Sequence, residues 1–267
     1  MVIRILILRA PGTNCDEETA RALREAGAET HIVHTNKLLS NEVDLFSYHG
    51  LVLPGGFSYG DRVRAGAIWA SKLKSKLKEK LMEYALNGNP ILGICNGFQA
   101  LIELGVLPFT RRTDLNPKAA LAPNISSKFE ARWVYLKCHS NTCIFTRYID
   151  VNEVLRMPVA HSEGRFILGE GLSGEELSKR GQVVFKYVKA NGAPANCEYP
   201  FNPNGSMFDI AGICNEDGNV LGLMPHPERA VYDWQLPDYT SVRRYSGYAD
   251  GWRIFKSMIE YIKEEVK

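Results

Sequence analysis

The sequence predicts an α/β fold with a doubly wound, mostly parallel central sheet, flanking helices and a small antiparallel excursion. Three observations carry this. Short apolar runs alternate with helix-period segments through the first hundred residues, the pattern of a parallel sheet covered on both faces. One long segment sets Trp69, Leu73, Leu77 and Leu81 four residues apart, a stripe for packing a helix on that sheet. A second block of strand-like runs, with turns at NPNG and NEDGN, suits antiparallel pairing.

The elements follow in order. IRILIL reads as a first strand, then a helix from 16 to about 26, then strands at ETHIVHT and GLVLPGG. The long helix spans about 65 to 86, PILGIC is the next strand, and an apolar helix follows Cys95. Periodicity lapses from 111 to 124 in a loop bearing proline and asparagine, after which ARWVYLKC and TCIFTRYI read as antiparallel strands. MPVAHSEGRFIL, QVVFKYVK, DIAGICN and NVLGLMPH add more strands. The closing GWRIFKSMIEYIKEEVK is an amphipathic helix with Trp252, Phe255, Ile259 and Ile262 on one side. No repeat or linker divides the chain, so 1–267 is expected to be a single domain, burying roughly 70 to 75% of its unfolded surface.

Composition excludes several classes. A net charge of +2 gives no electrostatic case for nucleic acid or an acidic membrane as partner. No apolar run approaches a membrane span, and the first strand is too short and too charged for a signal segment, so cytoplasm is the expected location. The six cysteines show no paired spacing, which argues against a disulfide framework. Cys138, His139 and Cys143 lack a second ligand pair, so no metal is expected there.

Chemistry concentrates in three motifs. In GICNG, Cys95 stands two residues from Gly93 and from Gly97, where a strand turns into a helix. Such an elbow strains the central residue, exposes its side chain above the sheet and places the thiol at a helix start that favours the thiolate. A nucleophile needs a base and an orienter, and MPHPERAV offers both. The flanking prolines hold His226 extended, and Glu228, two residues on, points the same way to accept the Nδ1 proton. In LVLPGGFSYGD the N–H groups of Gly55 or Gly56, with that of Asn96, can converge on a developing oxyanion. Cys15 is a rival nucleophile on the same rim, but Asp16, Glu17 and Glu18 should raise its pKa.

Together PGGFSYGD, GICNGFQ and MPHPERAV resemble the class I glutamine amidotransferases, which have a flavodoxin-like fold. More narrowly they resemble the branch of separate glutaminase subunits of phosphoribosylformylglycinamidine synthase, with PGTNCDE, PVAHSEGRF and DIAGICNEDGNVLGL extending the match over nearly the whole chain. The resemblance implies that Cys95 attacks the glutamine side-chain amide, that His226 protonates the departing ammonia and then activates water, and that Glu228 orients His226. It implies that Gln99 holds glutamine and that the backbone from 161 to 164, including His161 and Ser162, clamps it. It also implies glutamine as substrate and no cofactor in this chain. ATP and Mg would belong to a large synthetase partner, joined through a small accessory bridging subunit, because the chain has no phosphate loop. Two other readings stand beside this one. The first is a cysteine-elbow group whose members carry histidine directly after the cysteine, where this chain has Asn96; the second is a catalytically silent regulatory subunit.

Overall fold

The computed structural model describes residues 2–111, 116–241 and 247–265. Among the described residues, eleven strands and six α-helices follow one another, with short 3-10 turns between them: β1 (Arg4–Arg9), α1 (Asp16–Glu25), β2 (Glu29–His34), α2 (Thr35–Leu39), β3 (Gly50–Leu53), α3 (Ala67–Leu86), β4 (Ile91–Ile94), α4 (Asn96–Leu104), β5 (Ala119–Pro123), β6 (Glu130–Cys138), β7 (Val154–His161), β8 (Glu163–Leu168), α5 (Gly174–Lys179), β9 (Val183–Val188), β10 (Ile210–Cys214), β11 (Val220–Leu223) and α6 (Trp252–Glu265). Nine strands form one sheet in the order β2-β1-β3-β4-β11-β10-β9-β6-β7, and β5 pairs with β8 apart from it. From β2 to β11 every pairing is parallel, and from β11 to β7 every pairing is antiparallel. The antiparallel part thus continues the main sheet, and the excursion proper is the β5–β8 pair.

The strand segments explain why the sheet is buried. β3 and β4 are apolar throughout apart from glycine and are buried at every residue, as expected where helices cover both faces. The α3 stripe Trp69, Leu73, Leu77 and Leu81 is buried as its spacing predicts. In α6, Phe255, Ile259 and Ile262 are buried with Ile254 and Met258, while Trp252 is only partly covered.

The structure corrects two expectations. TCIFTRYI is not a strand: Ile144–Thr146 form a buried 3-10 turn in which the Thr146 hydroxyl bonds back to the Cys143 carbonyl at 2.8 Å, and β6 pairs instead with β7. A threonine able to satisfy its own turn, in a run without strict alternation, defeated the period-two reading. The loop predicted over 111–124 contains β5, whose Ala-rich sequence lacks the β-branched signal. Of that predicted loop, 112–115 lie outside the described residues.

The order β2-β1-β3-β4 reverses direction of growth at β1, so a crevice opens between the C-terminal ends of β1 and β3. In open parallel sheets ligands bind at such a switch point. The loops leaving β1, β3, β4 and β11 carry Cys15, Gly55, Cys95 and His226 respectively.

Candidate active site

Cys95 joins β4 to α4 with φ 50° and ψ −104°, a strained conformation for a residue with a Cβ. Its two glycine neighbours make the elbow possible. A Cβ on Gly97 would lie 1.8 Å from the Leu53 carbonyl oxygen, and one on Gly93 would lie 2.9 Å from the Gly97 backbone. The helix therefore crosses β3 at a distance only glycine permits. The prediction that the thiol stands exposed is corrected: Cys95 is 4% exposed. The end of β7 lies over it, with Sγ 3.6 Å from the Ala160 carbonyl oxygen, and the pKa of nearby Tyr187 is raised, mainly by burial, with Cys95 adding to it.

His226 and Glu228 are both buried, and Nδ1 meets Oε1 at 2.5 Å. The route to this contact differs from the predicted one. His226 is extended, at φ −103° and ψ 92°, but Pro227 opens a 3-10 turn over Pro227–Arg229, and that turn swings Glu228 back to the ring. Among the described residues, Nε2 of His226 and Oε2 of Glu228 have no hydrogen-bond partner. Burial alone would lower the His226 pKa; the Glu228 charge, followed by that of Cys95, instead holds it well above the ordinary value. The Cys95 sulfur is thus within electrostatic reach of the imidazole without a formed bond to Nε2.

Among the described residues, no group accepts from the N–H of Gly55, Gly56 or Asn96. The Asn96 side chain is committed elsewhere: its Oδ1 accepts from Ser58 N at 3.0 Å, and its Nδ2 donates to Asp61 at 3.1 Å and to Gln99 Oε1 at 2.9 Å. Gln99 Nε2 in turn donates to the Glu163 carbonyl, tying α4 to the 161–164 segment. Burial, followed by the Glu163 charge, pushes Asp61 up to about 6.

His161 is buried at the end of β7 with Nδ1 3.1 Å from Asn124 Oδ1. Asn124 Oδ1 also accepts from Gly164 N at 3.1 Å, and Nδ2 donates to the carbonyls of His161 and Lys128 at 2.8 and 2.9 Å. Burial, with the neighbouring His226, pushes His161 down to about 3, so the ring is neutral. Ser162 is exposed, and its carbonyl accepts from Asn124 N at 2.9 Å. Asn124 lies in the predicted irregular loop and had no motif to mark it.

Cys15 sits on the same rim, as predicted, and its pKa is raised, but for a different reason. Burial is the main cause and Glu228 the charge that adds to it, whereas Asp16 is paired with Arg9. Cys15, His226 and Glu228 place donor atoms within 4.8 Å of one another. A cation is nevertheless opposed there, since the Arg229 guanidinium donates to Cys15 Sγ at 3.0 Å. The segment after the turn braces it: Gln235 Oε1 accepts from Val231 N and Tyr232 N at 2.8 and 2.9 Å, and Gln235 Nε2 donates to the Glu228 carbonyl at 3.4 Å. Of the aromatic, basic stretch there, 242–246 lie outside the described residues.

A cysteine elbow beside a buried His–Glu pair, at the C-terminal edge of a parallel sheet, is the arrangement of a glutamine amidotransferase domain. The family model for CobB/CobQ-like glutamine amidotransferase domains matches residues 2–262, and the chain belongs to that family. Its curated relatives include the phosphoribosylformylglycinamidine synthase subunit PurQ of Archaeoglobus fulgidus, 44% identical over 274 residues with 98% of each chain covered. PurQ of Methanococcus maripaludis is 41% identical, with 99% of each chain covered. Among solved structures, PurLQS from Thermotoga maritima matches with a TM-score of 0.74 at 36% identity, covering 98% of this chain and 100% of that one. A glutamine amidotransferase from the same organism, at 18% identity and a TM-score of 0.55, shares the fold.

Proposed function

We propose that the chain is the glutaminase subunit of phosphoribosylformylglycinamidine synthase, which releases ammonia from glutamine for a partner synthetase. The observation that carries the reading is the buried His226–Glu228 contact at 2.5 Å beside the strained Cys95 elbow, in a chain 44% identical to a PurQ subunit. Cys95 Sγ, its proton held on His226 Nε2, attacks the carboxamide carbon of glutamine. The oxygen turns negative and is met by the free N–H of Asn96 and of Gly55 or Gly56. His226 returns the proton to the leaving nitrogen, ammonia departs and a γ-glutamyl thioester remains. His226 then draws a proton from water, which attacks the thioester and frees glutamate and the Cys95 thiol. Glu228 holds the ring through Nδ1 and stabilises the imidazolium throughout.

Gln99 and the 161–164 segment form the glutamine-binding side in this reading, supported by the Gln99–Glu163 bond and the Asn124 clamp. His161 is a structural neutral ring there rather than the base, since its pKa of about 3 leaves it a poor proton acceptor. We read 1–267 as one domain working in the cytoplasm; among the described residues, no helix is long and apolar enough to cross a membrane. The partners are a large synthetase subunit, which would hold ATP and magnesium, and a small bridging subunit. The test is mass-spectrometric mapping after treatment with an electrophilic glutamine analogue: modification at Cys95, blocked by glutamine, is expected. Modification at Cys15 instead, or at no cysteine, would overturn the assignment.

A further inference from the structure

Cys15 lies where three loops of the site meet, and the mechanism above gives it no part. Its thiol donates to Asn14 Oδ1 at 3.2 Å, and its sulfur accepts from Arg229 Nη2 at 3.0 Å. The same sulfur is 3.9 Å from His226 Nδ1, on the side of the ring that faces Glu228. Its backbone N–H bonds the Gly55 carbonyl at 3.2 Å, and a Cβ on Gly55 would come within 3.2 Å of the sulfur. The thiol is 1% exposed and burial keeps it protonated, so it is a neutral contact fixed on four sides.

Arg229 makes this contact consequential. Its half-buried guanidinium donates to the neutral Cys15 sulfur and interacts with the charges of Glu228 and Glu18, and it carries five N–H donors in a rigid fork. Glu228 Oε2 is buried and has no hydrogen-bond partner among the described residues. For an arginine freed from the sulfur, that unpartnered oxygen on a carboxylate whose charge it already feels is an available acceptor. A bond there would draw the carboxylate away from His226 Nδ1 and share the charge that sustains the imidazolium. Held on the sulfur, the guanidinium leaves the Glu228–His226 contact in place.

We infer that Arg229 and Cys15 form a positioning pair: the buried sulfur holds the guanidinium off Glu228, so that Glu228 serves His226 alone. The inference rests on the reading of Cys95, His226 and Glu228 proposed above. The charged and titratable groups facing His226 are Glu228 and Arg229 from its own turn, Cys15 from the β1 side with Glu18 behind it, Cys95 from the elbow, His161 from β7, and Tyr187 beside Cys95.

Cys15→Ala and Cys15→Ser in the assembled complex, assayed for glutamine hydrolysis across pH, test it. Alanine leaves Arg229 without its acceptor, while the serine hydroxyl restores an acceptor and a donor to Asn14. For Cys15→Ala we expect kcat to fall about 10- to 100-fold, as for a misplaced catalytic group, with KM nearly unchanged. The alkaline limb, which reports loss of the imidazolium, should move down by about one pH unit as Glu228 is shared. Cys15→Ser should recover most of both. A merely structural role would lower the melting temperature of Cys15→Ala and leave the pH profile in place, which would overturn the inference, as would equal damage from serine and alanine. If Cys15→Ala does not fold, Arg229→Gln gives the second test: removing the cation should move the alkaline limb up, and an unmoved limb rejects the pairing. Glutamine hydrolysis retained by Cys95→Ala would mean instead that the site reading itself has failed.

Discussion

Gly55→Ala gives a sharp test of how tightly the site is built. A Cβ at this position would lie 2.7 Å from His226 Cε1, 3.3 Å from Nδ1 and 3.2 Å from Cys15 Sγ. Ordinary contact begins near 3.4 Å, so restoring it at Cε1 moves the imidazole by 3.4 − 2.7 = 0.7 Å. The φ of Gly55 lies outside the left-handed region, so alanine brings no backbone strain and the cost is overpacking, typically about 1–3 kcal/mol. The fold should survive that. Catalysis should not, because a shift approaching 1 Å in a catalytic group costs on the order of 100-fold. The assay is glutamine hydrolysis by the assembled complex beside a denaturant titration. A folded Gly55→Ala protein with activity within about threefold of wild type, where a shift of this size should cost about 100-fold, would refute the geometry. Gly97→Ala is the contrasting case: its Cβ would sit 1.8 Å from a backbone oxygen that cannot yield, so stability itself should collapse.

Glu228→Gln should fold and lose glutamine hydrolysis by about 10²- to 10⁴-fold, since an amide can donate to Nδ1 and select the wrong tautomer; near-normal rates would remove Glu228 from the mechanism. His161 should make the fold acid-sensitive. Its folded pKa of about 3 lies below the ordinary 6.5, so between those values the unfolded chain binds the extra proton. Stability is then lost as pH falls below 6.5, by up to about 1.4 kcal/mol per pH unit. His226, whose pKa is raised, acts oppositely: its contribution is fully present at acid pH and is lost as pH rises through its folded value. His161→Gln should therefore flatten the acid limb of a stability-versus-pH curve relative to wild type, and an unchanged slope would contradict the neutral, buried assignment.

The parallel half of the sheet was legible because each strand there is an apolar run followed by a helix of 3.6-residue period. Cys95, His226 and Glu228 were legible for a related reason: an elbow between two glycines and a histidine between two prolines restrict the backbone locally. What escaped is built by contacts distant in sequence. Cys15 meets a histidine 211 residues away only because β11 adds beside β4. Asn124 holds the 161–164 segment because β5 pairs with β8, and β5 itself carried too little β-branched sequence to declare a strand. The burial of Cys95 escaped too, since the β7 carbonyl that covers it comes from the antiparallel half. α2, at five residues, is shorter than the window in which helical periodicity can be read.

The measurement that bears most directly on the account is synthesis by the reconstituted complex carrying Cys95→Ala, run in parallel with glutamine and with an ammonium salt at mildly alkaline pH. Alanine fills no more space than the buried thiol, so the complex should assemble. The account predicts that glutamine-dependent synthesis is abolished while ammonium-dependent synthesis stays close to wild type. Retained glutamine-dependent synthesis would contradict the assignment of Cys95 as nucleophile, and loss of both activities in an assembled complex would contradict the division of labour between this chain and its synthetase.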